Sequence, residues 1–143
     1  MKLTDLSGYT HTLSFQKYTK PGQSERSCSK YHKAARELLR EEFQGRSILE
    51  EILAPGEQLY LDFFIPSGKI AVEVHGEQHY SFNAFFYKDK RAFRLAQMRD
   101  RRKREWCDLN EITLVELPFN ESVDQWRKRL RECFRTNNED VEN

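Results

Sequence analysis

The sequence predicts an α/β sandwich, with helices flanking a small mixed sheet. Three observations carry that reading. Apolar residues recur at helical spacing in several stretches; two runs rich in β-branched and aromatic residues flank Pro66-Ser67-Gly68; and a third such run stands between two helical stretches. The 143 residues include 34 Leu, Ile, Val and Phe, enough for one compact core and too many for a disordered chain.

Residues 1–28 read as a polar, irregular N-terminal arm with Gly8, Pro21 and Gly22, and Thr10 to Phe15 as its one short strand. Ser29 is placed to cap a helix reaching about Gly45, with Ala34, Ala35, Leu38, Leu39 and Phe43 along one side. Ile48, Leu49, Ile52 and Leu53 continue that apolar pattern until Pro55-Gly56 stops it. Strands are expected at Leu59 to Ile65 and Lys69 to His75, joined as a hairpin. A loop carrying Tyr80, Phe82, Phe85, Phe86 and Tyr87 leads into a helix from Lys90 to Leu109. Glu111 to Leu117 is a third strand, Glu121 to Phe134 a last helix, and residues 136–143 a disordered tail. The domain proper is therefore expected at 29–135.

No apolar run approaches the ~18 residues of a membrane span, and no signal region opens the chain. Cys28, Cys107 and Cys133 are odd in number, far apart and without a CxxC, so neither a disulfide framework nor a four-cysteine zinc site is indicated. An intracellular setting without a membrane partner fits these features. Net charge is only +1, yet Lys88 to Arg104 holds nine Lys/Arg against Asp89 and Asp100. Such a block is either a solvated helix face or a surface for nucleic acid. Trp106 and Trp126 read as core residues and His11 as a surface one.

The chemistry lies in the hairpin. Asp62 stands among Leu59, Tyr60, Leu61, Phe63, Phe64 and Ile65, where an ionised carboxylate is costly unless paired, hydrogen-bonded or metal-bound. Glu73 interrupts Ile70 to His75 in the same way, and strand alternation puts Ala71, Glu73 and His75 on one face. Two close carboxylates can hold a divalent cation, and a neighbouring imidazole exchanges protons near neutral pH. Register decides whether Asp62 joins them. A three-residue loop sets Asp62 opposite Val72 and turns it away from Glu73; a four-residue turn through Lys69, or a bulge near Asp62, restores the shared face. On the following helix, Phe93, Asp100 and Cys107 share a stripe, which turns Asp100 inward and leaves Arg99, Arg101 and Arg102 to face out.

Leu61-Asp62-Phe63-Phe64 followed by Glu73-Val74-His75-Gly76-Glu77-Gln78-His79 resembles the PD-(D/E)XK nuclease superfamily, and most closely its branch of very-short-patch repair and EDxHD homing endonucleases. His75 stands where the wider superfamily has lysine. Arg99-Asp100-Arg101-Arg102 matches the branch's Arg-Asp, and Ile112 to Glu116 its next strand. The resemblance spans roughly Ser29 to Leu117. It departs at two places. His32, with Glu37 and Glu41 further along, occupies the helix position where the branch has glutamate, and Glu77 falls where a zinc-binding cysteine would be.

The resemblance implies a restriction-endonuclease-like fold and a metal-dependent DNA endonuclease of homing (phage-like) or mismatch-repair type. Asp62 and Glu73 would hold Mg²⁺, with Mn²⁺ as a substitute and no structural zinc. His75 would activate water. Asp100 would orient His75 or reach the metal through water, and His79 is an offset match to the branch's second histidine. Double-stranded DNA is the implied partner, met by Lys17, Lys20, Arg26, Lys30, Arg94, Arg101 and Arg102; a homodimer on DNA is compatible with this. The implied setting is the cytoplasm of a bacterial or phage-infected cell. The competing readings are an inactive nuclease fold that only binds DNA and a module that binds a protein partner.

Overall fold

Ser29 caps the first helix, its hydroxyl accepting the His32 N–H, and α1 runs Lys30–Glu42. Ala35, Leu38 and Leu39 are buried along it, at the spacing that put them on one side. This computed structural model describes residues 1–15, 29–76 and 89–141, with side chains of the last helix described as far as Cys133. The remainder of the expected arm, and the expected loop within residues 77–88, lie outside the described residues.

Beyond α1 the chain departs from the sequence reading. Residues Leu49–Leu53 are a strand, β3, and not a continuation of the helix. Leu49 and Ile52 are both fully buried although three residues apart. The reason is Glu51, whose φ of 50° interrupts the extended backbone. That kink breaks strand alternation and reproduces a helical spacing of apolar residues inside a strand.

β3 pairs antiparallel with β4 (Tyr60–Ile65), which turns into β5 (Ile70–His75). Helix α2 (Lys90–Leu109) crosses over to β6 (Thr113–Pro118), parallel to β5. The sheet is mixed, in the order β3-β4-β5-β6. One face carries a cluster of Ala35, Leu38 and Leu39 of α1, Phe63, Ile65 and Val72 of the sheet, and Trp126 and Leu130. The other carries Leu49, Leu61, Phe64 and Ala71, with Trp106 and Cys107 of α2 packed over them. Both tryptophans are core residues, as expected.

The N-terminal segment contributes more than a single strand. Lys2–Thr4 (β1) and Thr10–Thr12 (β2) form an antiparallel hairpin, and Leu3 joins the α2-side cluster. Asn110, at the end of α2, fastens it by accepting the Thr4 N–H at 2.7 Å and donating to the Thr4 carbonyl at 2.9 Å. His11 is half-buried, with Nε2 2.7 Å from Asp5 Oδ2. That contact, with the Tyr9 and Ser7 N–H groups, holds the Asp5 carboxyl below its usual range.

The C-terminal helix, α3, spans Val123–Val141 and so runs through most of the segment expected to be a disordered tail. Phe134 is followed by no Gly or Pro before the chain ends, so nothing in the backbone chemistry stops the helix there.

Candidate active site

The β4–β5 connection decides the register. Pro66–Gly68 form a 3₁₀ turn, and Lys69 follows in the left-handed region at φ 50°, ψ 53°. The connection is thus four residues long, and Ile65 pairs with Ile70, Phe64 with Ala71 and Phe63 with Val72. The next step along this register sets Asp62 opposite Glu73, the alternative that brings the acids to a common face. Regular pairing ends there. Asp62 Oδ2 accepts the Val74 N–H at 2.8 Å, so a carboxylate serves where a ladder would offer a carbonyl. Asp62 also lies opposite the kinked Glu51 in the β3–β4 register, and both ladders open at this one residue.

Glu73 is only 3% exposed. Its carboxyl is held well above the ordinary range, first by burial and then by the neighbouring Asp62 charge; Lys103 opposes both. The Lys103 Nζ lies 3.3 Å from Glu73 Oε1. Even so, Oε1 is buried without an aligned hydrogen bond among the described residues. Burial, helped by the Glu73 charge, also pushes the nearby Cys107 thiol up to about 12, which keeps that thiol inert.

His75 ends β5 and is buried, with Nδ1 3.6 Å from Glu116 Oε2 on β6. Glu116 is level with Glu73 in the parallel register and is also held by Arg104, whose Nε is 3.0 Å away. Asp100 is half-buried on α2, three residues before Lys103 and hence on the same side of the helix. The inward stripe read from the sequence therefore extends to a residue that reading passed over. Lys103 sits three residues beyond Asp100, a spacing that could have singled it out, but a lysine within a basic run carries no signal of its own.

The other sequence candidates divide. His79, Lys17, Lys20 and Arg26 lie outside the described residues. Lys30 is exposed at the start of α1, its Nζ 5.0 Å from the Tyr31 ring centroid. Arg94 and Arg101 are exposed on α2, and no carboxylate pairs with either among the described residues. Arg102 is different: its Nη2 lies 2.7 Å from buried Glu57, so its charge also holds the fold. Neither Glu37 nor Glu41 substitutes for a helix glutamate in the site. Glu37 is exposed, and Glu41 meets Arg127 of α3. His32 stacks on Phe63 and lies 3.0 Å from Glu50, which Arg36 also holds, on the α1 side of the sheet.

Asp62 and Glu73 fit a hard divalent cation in their chemistry. Two carboxyl groups are forced together, Glu73 being buried with an oxygen that has no aligned hydrogen bond among the described residues, and a cation would let both ionise and would satisfy that oxygen. Among the described residues no three His, Cys, Asp or Glu side chains converge as a metal-binding group. One or two carboxylates, with waters completing the shell, is the usual arrangement for Mg²⁺.

No family model and no solved structure matches the chain. It is similar to uncharacterized protein 307L of Invertebrate iridescent virus 6, at 32% identity over 126 residues, covering 76% of this chain and 64% of that protein. It is also similar to uncharacterized protein 033L of Invertebrate iridescent virus 3, at 42% identity over 64 residues, covering 45% of this chain and 33% of that protein. Uncharacterized protein 094L of Frog virus 3 is 38% identical over 65 residues, covering 45% of this chain and 42% of that protein. The chain thus spans between one third and just under two thirds of the length of these viral relatives. None of the described helices is long and apolar enough to cross a membrane.

Proposed function

We propose that the chain is a metal-dependent DNA endonuclease of homing or repair type, with Asp62 and Glu73 as cation ligands. The observation that carries this is the four-residue turn, which sets two carboxylates opposite each other where the sheet ladder opens, with His75 two residues along the same face. The order helix, three antiparallel strands, crossover helix and parallel strand supports a restriction-endonuclease-like arrangement.

Asp62 and Glu73 hold Mg²⁺, or Mn²⁺ in its place, which supplies a Lewis acid for the scissile phosphate and charge stabilisation for the leaving oxygen. His75 takes the proton from the attacking water, with Glu116 beside Nδ1 to stabilise the imidazolium that results. Asp100 helps to position that imidazole from the inward side of α2. Lys30, Arg94 and Arg101 meet the phosphates of duplex DNA, and Arg102 does so at the expense of its Glu57 contact.

A second reading, a fold that binds DNA without cutting it, is favoured by one observation: Lys103 already lies against Glu73 as a counter-charge. Supercoiled plasmid incubated with the protein and Mg²⁺, Mn²⁺ or EDTA separates the two. The enzyme reading expects nicked or linear product with either metal, none with EDTA, and none from a folded Asp62→Asn variant. Retarded but uncut plasmid under all conditions would leave the binding-only reading standing.

A further inference from the structure

Lys103 is the charged residue of this site that the proposed chemistry leaves unused. Its side chain is 17% exposed, so the ammonium is largely withdrawn from water to reach Glu73. The contact is loose compared with two arginine–carboxylate pairs elsewhere in the fold. Arg102 meets Glu57 at 2.7 Å, and Arg36 meets Glu50 through Nε at 2.9 and 3.1 Å, both with hydrogen-bond geometry. Lys103 stands at 3.3 Å and leaves Oε1 without an aligned hydrogen bond. A pair whose purpose was to hold the fold would use the shorter, aligned contact.

The choice of residue points the same way. A guanidinium is a rigid fork that binds a carboxylate through two bonds, whereas an ammonium is a compact charge on a flexible four-carbon stem. It can neutralise an acid and then withdraw. Lys103 also faces a crowded negative site, since Asp62 lies beside Glu73 and Glu116 is level with it on the next strand. Glu116 has its own cation in Arg104, which leaves Lys103 as the counter-charge of the Asp62–Glu73 pair.

We propose that Lys103 is the resident counter-cation of the Asp62–Glu73 pair, and that a divalent cation enters the site by displacing its ammonium from Glu73. This rests on the reading of Asp62 and Glu73 as ligands. Lys103 occupies Glu73 Oε1, and two cations cannot share that oxygen without direct repulsion, so a divalent cation that takes Oε1 displaces the ammonium from it. Lys103 therefore holds the acids together without metal, lowers the apparent affinity for metal, and swings its ammonium away from the carboxylates when metal arrives.

The test is Mn²⁺ binding by the full chain, read from the electron paramagnetic resonance signal of free Mn²⁺. Lys103→Met should bind Mn²⁺ about tenfold more tightly than the wild type, the scale of one close charge–charge interaction in a partly open site. Equal or weaker binding by a folded Lys103→Met would overturn the displacement while leaving the ligand assignment intact. No Mn²⁺ binding by either protein would remove the ligand assignment, and the displacement with it. A wild-type measurement guards against a variant that does not fold. Acetylation of Lys103 by acetic anhydride, followed by mass spectrometry, should be slow without metal and several-fold faster with saturating Mn²⁺. In Asp62→Asn the Mn²⁺ response should disappear. Unchanged Lys103 reactivity in wild-type protein that has bound Mn²⁺ would also overturn the proposal.

Discussion

At the scale of single residues, the expensive feature is Glu73. Burial and the Asp62 charge raise its folded pKa, so the folded state holds a proton that the unfolded chain gives up earlier. Its contribution to stability is therefore complete below the ordinary carboxylate range and is lost as pH rises through the folded value. In EDTA, urea midpoints measured from about pH 4 to about pH 8 should show that decline in the wild type. Glu73→Gln should remove it, and Asp62→Asn should shrink it, since the Asn amide oxygen can still accept the Val74 N–H while the repelling charge is gone. Identical slopes in the three proteins would mean that Glu73 does not titrate in that window. His75 has a kinetic signature instead. An unperturbed imidazole titrates near about 6.5 and must be neutral to accept a proton. The expected outcome is the shape of the profile: the single-turnover cleavage rate rises with pH through the imidazole titration, wherever its midpoint falls, and then levels off. His75→Ala should lose most of the rate and the pH dependence while still binding DNA. A variant with both rate and profile preserved would take His75 out of the chemistry.

At the scale of elements, α2 has two sides with different tasks. Asp100, Lys103, Trp106 and Cys107 turn toward the sheet, and Arg94, Arg101 and Arg102 face solvent. Such a division follows from helical periodicity, and it lets one helix close the core, reach Glu73 and present a basic surface. Replacing Arg94 and Arg101 with Ala should flatten the slope of log K against log salt for duplex DNA by roughly two units, one per lost phosphate contact. Adding Arg102→Ala should change the slope less than either and cost stability, because among the described residues it leaves buried Glu57 with only the Leu6 N–H at 2.7 Å. A salt slope unmoved by the double substitution would make these arginines a solvated face. The β4–β5 turn is the other decisive element, since one residue fewer would send Asp62 to the opposite face of the sheet.

At the scale of the whole molecule, the N-terminal hairpin is a structural part of the fold. Gly56, at φ 81°, lies against the Asp5 and His11 side chains, and a Cβ there would collide with both. Gly56→Ala should cost more than the roughly 1 kcal/mol of a left-handed non-glycine residue, and it should loosen the hairpin from the end of the β3–β4 turn. Urea denaturation with the His11 ring signals in NMR would check this; a cost near zero would mean the hairpin is only laid on the surface. Most of the helices and the strands β4, β5 and β6 were legible in the sequence, because periodicity, the Ser29 cap and the Pro-Ser-Gly turn are local signals that tertiary packing did not override. So were the chemical types at the site, since a carboxylate inside an apolar strand announces its cost wherever that strand lies. Three things required the folded chain. The strand β3 was hidden because the kink at Glu51 gives it a helical spacing of buried residues, and only pairing with β4 identifies it. Asp62 meets Glu73 because Lys69 adopts a left-handed conformation, a choice of register that the turn residues left open. Lys103 reaches Glu73 because the crossover lays α2 over the sheet, and a contact between residues thirty positions apart is set by packing rather than by anything local to either one.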